Sequence, residues 1–138
     1  MQPFVILDHT ADLSLRAYGR DLRELIENAA RGLLALLYTA PPPEPEGWRE
    51  LTVNAEEAEY LVQRALRELL YLLEDRHEAP VRVKVVTADQ GEARLQAGWV
   101  PVQAVRPILG PEIKAVTRHG LEIVQESDRL SLTLIFDV

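Results

Sequence analysis

The chain has 138 residues, 47% of them hydrophobic, which is enough for one domain spanning residues 1–138 to bury a core without staples. It has no cysteine, so disulfides, thiolate catalysis and cysteine-based zinc or iron–sulfur sites are excluded. A formal net charge of −7 argues against strong direct binding to nucleic acid and favours a cation or a basic protein partner.

Residues 1–7 lack the basic start and long apolar run of a signal peptide, and no apolar stretch is long enough to span a bilayer. The expectation is a soluble, cytoplasmic protein with no membrane partner. Phe4–Leu7 is a short apolar run of the kind a buried strand uses. Asp8-His9-Thr10-Ala11-Asp12 then packs carboxylates, an imidazole and a hydroxyl into one corner. From Leu13 to Tyr18 apolar and polar residues alternate, as in a half-buried strand.

Asp21 and Glu24 form a capping signal for a helix running to about Tyr38, where Leu22, Leu25, Ile26, Ala29 and Leu33 recur at helical spacing. Pro41-Pro42-Pro43 ends that helix. A short strand at Trp48–Val53 follows. Asn54 and Glu57 repeat the capping signal ahead of a more buried helix from about Glu56 to Arg76.

Val81, Val83 and Val85, then Ala93, Leu95, Ala97 and Trp99, alternate on either side of Asp89-Gln90-Gly91, which reads as a hairpin. Val100–Pro111 is an irregular connection with room for one short strand. A last hairpin joins Ile113–Val124 to Leu130–Phe136. The order gives an α+β domain, with two helices packed on one face of a largely antiparallel β-sheet.

Register in that last hairpin bears on the acidic groups. A Ser127-Asp128 loop puts Asp137 opposite Arg118, and an Asp128-Arg129 loop puts Val138 opposite His119. Asp137 has the parity opposite to Leu132, Leu134 and Phe136, and Asp12 the parity opposite to Leu13 and Leu15. Both aspartates therefore point away from the buried face. Carboxylate oxygens without thiolates suit calcium, magnesium or manganese. Asp12, Asp137 and the terminal carboxylate of Val138 would supply such a cage.

Plainer readings stand beside this one. Asp12 suits a turn or strand start, and Asp137 a frayed end. His9 and His119 read as hydrogen-bonded structural residues rather than acid–base groups, and Glu68 as a polar helix residue. Lys114 is a candidate contact to a partner or a phosphate, although a single surface lysine usually serves neither. Arg118 is a rival partner for Asp137. Trp48 and Trp99 read as packing rather than base stacking.

Five segments, in order and from end to end, resemble the archease family. They are His9-Thr10-Ala11-Asp12, Glu24–Ala30, Arg67-Glu68-Leu69-Leu70-Tyr71, Ile113–Leu121 and the ending Ile135-Phe136-Asp137. The resemblance implies an accessory protein, not itself an enzyme, of the RNA ligase that joins tRNA exons, the GTP- and metal-dependent type acting on 3′-phosphate ends. It implies help with ligase guanylylation and repeated turnover. It also implies a divalent cation, calcium in the family, on Asp12, Asp137 and Val138. The chain departs from the family at Arg118, usually tyrosine, and at Gly98-Trp99 and Gln103, where a Gly-Glu pair and an aspartate are usual. The alternatives are a metal-dependent phosphoester hydrolase using the same carboxylates, and a chaperone-like interaction module with a structural cation.

Overall fold

The computed structural model describes residues 2–7 and 12–138. Its strands and helices run β1 (Phe4–Leu7), β2 (Leu13–Gly19), α1 (Leu22–Leu37), β3 (Gly47–Asn54), α2 (Ala58–Asp75), β4 (Glu78–Asp89), β5 (Glu92–Pro101), β6 (Ala115–Val116), β7 (Val124–Gln125) and β8 (Leu130–Asp137). The connection after β5 holds two single turns of 3-10 helix, Val102–Ala104 and Arg106–Ile108, in place of a strand.

The fold is α+β and its strand pairings are antiparallel, as the element order predicts. The strands divide into two sheets. One has the order β1-β2-β8-β6, with β7 also paired to β8, and the other has the order β3-β5-β4. α1 packs on β2 and β4, and α2 on β3, β4, β5 and β6, so the two helices serve both sheets and share one core with them.

α1 starts as its capping signal predicts. Asp21 Oδ1 accepts from the Glu24 amide at 2.8 Å, and Glu24 reaches back to the amide of Arg20 at 3.1 Å, one residue further than the usual box. The helix buries Leu25, Ile26, Ala29, Ala30 and Leu33 on one side. α2 starts differently from expectation. Asn54 stays in the β3 ladder opposite Glu92, and its carbonyl accepts from the Arg64 guanidinium. The N-cap falls to Glu57, which makes no side-chain cap. The ladder competes for Asn54 and wins.

The β4–β5 hairpin closes through Gln90 and Gly91, at φ 48° and 79°. Two successive positive φ values match the twist of the flanking strands, and glycine at the second keeps the strain low.

In the first sheet, Leu15 and Ala17 of β2 and Leu132, Leu134 and Phe136 of β8 are buried against the helices. β2 and β8 pair from Leu13↔Phe136 to Gly19↔Leu130. Next to the turn, β7 and β8 pair as Val124↔Ser131 and Gln125↔Leu130, with the Glu126 amide donating to the Arg129 carbonyl at 2.8 Å. That is the Ser127-Asp128 loop. The register does not survive to the far end of β8, however. There β6 pairs as Ala115↔Asp137 and Val116↔Phe136, so Asp137 faces Ala115 rather than Arg118, and Val138 lies beyond that pair rather than opposite His119.

The Thr117 amide still donates to the Ile135 carbonyl at 2.9 Å, and the slack is taken up by residues 118–123, which leave the ladder and lean toward α2. There the Ile123 amide donates to Glu59 Oε2 at 3.1 Å, and the Arg118 guanidinium lies 5.0 Å from the centre of the Tyr60 ring. Leu121 and Ile123 also pack on the core. Burial of these two side chains and the cation–π contact favour departure from the ladder over a continuous hairpin.

Candidate metal centre

Strand alternation sets which side chains share a face of the first sheet. Leu13 and Phe136 are paired and turn inward, where Phe136 is fully buried. Asp137 is the next residue on β8, and Asp12 is the residue just before β2. Carried one rung further, the register would bring them across from one another. Asp12 is half-buried and Asp137 is exposed. Asp137 is held from its other side by β6, where the Lys114 amide donates to its main-chain oxygen at 2.8 Å. The last strand is thus tied to β2 through Phe136 and to β6 through Asp137, the residue carrying the carboxylate. Val138 follows it, with its side chain 46% exposed.

The donor chemistry fits a hard cation. Two carboxylates on neighbouring strands repel unless a proton or cation neutralises them. Among the described residues neither is in an ion pair. Arg118, the rival partner for Asp137, is engaged with the Tyr60 ring. Among the described residues no three His, Asp or Glu side chains converge as a metal-binding group. Asp8, His9 and Thr10 lie outside the described residues.

The other residues marked in the sequence are dispersed. His119 is exposed, on residues 117–123. Trp48 is 56% exposed, with its ring against Gly98, and Trp99 is half-buried against Gly47. Glu68 and Lys114 line a separate cavity between α2 and β6. Sequence reasoning passed over Gln63 in the same cavity, a buried residue whose Nε2 donates to the Val116 carbonyl at 2.8 Å. The available signal was a single amide among Leu61, Val62, Ala65 and Leu66. No described helix is long and apolar enough to cross a membrane.

Comparison with known proteins places this geometry in context. Residues 4–138 match the model of the Archease protein family (MTH1598/TM1083). A protein archease of Sulfurisphaera tokodaii is 30% identical over 144 aligned positions covering all of both chains. One of Thermococcus gammatolerans is 33% identical over 126, covering 88% of this chain and 87% of that protein. The solution structure of protein 1598 of Methanobacterium thermoautotrophicum superposes with a TM-score of 0.78 at 27% identity, covering both chains completely. A crystal structure from Thermotoga maritima, described as an archease and possible chaperone, gives a TM-score of 0.67 at 25% identity, covering 96% of this chain and 94% of that one.

Proposed function

This chain belongs to the archease family, and from that premise we propose that it is a non-enzymatic accessory protein that activates the RNA ligase of tRNA splicing. The ligase is the GTP-dependent type that joins 3′-phosphate ends, and the proposed effect is faster guanylylation and repeated turnover. One observation of this chain supports the reading: β2 and β8 pair at Leu13↔Phe136, and the same register continued by one residue would bring Asp12 and Asp137 across from one another. Asp12, Asp137 and the carboxylate of Val138 would hold a divalent cation, calcium by the family resemblance, with magnesium and manganese compatible with the same oxygens. When bound, the cation would offset two of the three carboxylate charges and let the tip approach acidic or phosphate groups of the ligase site.

The chain's own residues supply the placement. β8 is pinned between β2 and β6, so Asp137 rides on a sheet, with Asp12 and Val138 directly flanking strands β2 and β8. The acidic balance of the whole chain favours contact with a protein over a grip on RNA.

The test combines ligase, GTP and substoichiometric amounts of this protein. Guanylylation and the number of joining events per ligase should rise, and Asp12→Asn should lose the effect while remaining folded. Unchanged guanylylation and turnover with the wild-type protein would refute the reading.

A further inference from the structure

One flank of β8 is paired in two registers that do not match. Val124↔Ser131 and Gln125↔Leu130 set the first, next to the turn, and Ala115↔Asp137 and Val116↔Phe136 set the second, at the far end. Thr133 lies between them. Main-chain groups of successive strand residues point to alternate sides. The Asp137 and Ile135 carbonyls accept from the Lys114 and Thr117 amides, so Thr133 turns its own N–H and C=O to that same flank. No main-chain group of residues 118–123 bonds to them.

A cavity of about 330 Å³ lies at this gap, and Arg16, Gly120, Glu122, Glu126 and Thr133 are in its wall. Arg16 donates from Nε to Thr133 Oγ1 at 3.1 Å. Arg16 and Glu122 are both exposed, and among the described residues neither is in an ion pair. The other acid in the wall, Glu126, is held by Arg129 at 2.7 Å. The register of β7 fixes what belongs in the gap. Continued by one hydrogen-bonded pair beyond Val124↔Ser131, it sets Glu122 opposite Thr133, which Arg16 already faces from β2. Residues opposite one another share a face, so Arg16, Thr133 and Glu122 would form one row with opposite charges at its ends.

We propose that residues 118–122 are a strap that closes this gap by one rung, so that Glu122 pairs with Thr133 through the main chain and with Arg16 through its carboxylate. The motion is small. The turn at Arg118–Leu121 carries Gly120 at φ 68°, where a Cβ would meet nothing within 4 Å, so the backbone pivots there without a clash. The Ile123 amide, one residue from Val124, points away from β8 to Glu59, and that bond survives closure. A pair of main-chain bonds with one exposed ion pair is of the same order as the cost of ordering a few residues, which keeps the open and closed states close in energy. Closure withdraws the Arg16 guanidinium and the Thr133 edge from the outer surface of the first sheet. Glu122 is thus an internal competitor for any acidic group of a partner that would seat on Arg16, and the strap denies Thr133 to a neighbouring strand.

Amide hydrogen exchange by NMR on the full chain reads the strap. At low salt the Thr133 amide should be protected and should show a nuclear Overhauser effect to the Glu122 amide. Glu122→Gln and Arg16→Gln, both at exposed positions, should each speed Thr133 exchange about two- to fivefold, the weight of one exposed ion pair. The Ser131 and Leu134 amides, within the paired strands, should keep their rates and so report that the sheet is intact. Salt at about 1 M should speed Thr133 exchange in the wild type and change it little in the variants, because it screens the pair. A wild-type Thr133 amide that exchanges as fast as an unstructured one, or equal Thr133 rates in wild type and both variants, overturns the proposal. No ligase, RNA or cation site enters these measurements, so their outcome is independent of the turnover assay.

Discussion

Arg49 and Glu78 form a two-pronged ion pair across the second sheet, with Nε to Oε1 and Nη2 to Oε2 both at 2.8 Å. The hydrogen bonds from Arg49 hold the Glu78 carboxyl below its ordinary pKa. A depressed carboxyl pKa stabilises the fold above the unfolded-state value, and that contribution is lost as pH falls through the folded-state value. Acid unfolding should therefore steepen below about pH 4.3, the ordinary glutamate pKa. Glu78→Gln should lower Tm at pH 7 and converge with wild type near pH 3, as read by circular dichroism melts across pH.

Alkaline pH acts through Tyr38. Its hydroxyl donates to the Pro80 carbonyl at 2.6 Å, and burial raises its pKa above the usual tyrosine range. A raised pKa gives stability that is complete below the unfolded value, about 10, and is lost as pH rises through the folded one. Tyr38→Phe should cost about 1–2 kcal/mol at neutral pH by leaving the Pro80 carbonyl unpaired. It should also flatten the decline in stability above about pH 10, measured by urea denaturation.

Gly19 sits where β2 passes under the first turn of α1. A Cβ there would lie 2.3 Å from the Leu25 amide nitrogen and 2.7 Å from its Cα, both backbone atoms that cannot step aside. Gly19→Ala should destabilise by at least about 3 kcal/mol, at the upper end of overpacking costs. That corresponds to a fall in Tm of about 10 °C for a domain of this size by calorimetry.

Calcium should raise Tm of the wild-type protein with increasing concentration, by about 2.7 kcal/mol of added stability at a hundredfold excess over Kd. Asp137→Asn, Asp12→Asn or one extra residue after Val138 should each shrink that response markedly. Equal calcium responses in all four proteins would remove the ligand assignment.

Much of this was legible because it is local. The Asp21–Glu24 signal and the recurrence of Leu25, Ala29 and Leu33 mark α1, and the alternation about Gln90-Gly91 marks β4 and β5. The exposure of Asp137, beside buried Phe136, follows from strand parity alone. What escaped depends on competition between distant groups. The division into two sheets is decided by long-range pairing that no window of sequence contains. Asn54 carries a good cap signal and loses it to the β3 ladder. The segment after β6 reads as strand, yet Leu121, Ile123 and Arg118 find partners on the core and α2 that draw it away. Gln63 was hidden by its aliphatic neighbours, and its role depends on a strand more than fifty positions away, through a hydrogen bond with a separation of 53.

The strands that pair with β8 are made at opposite times of synthesis: β2 is translated near the beginning, β6 and β7 near the finish. Until the ribosome has delivered Leu130–Asp137, β2 has a vacant flank and Leu15 and Ala17 lack their β8 partners. A pairing that spans so much of the polypeptide is costly in loop closure and slow to form. Insertion of β8 is therefore the step that completes the fold, and a nascent or truncated chain lacking it would leave its apolar layer unsealed.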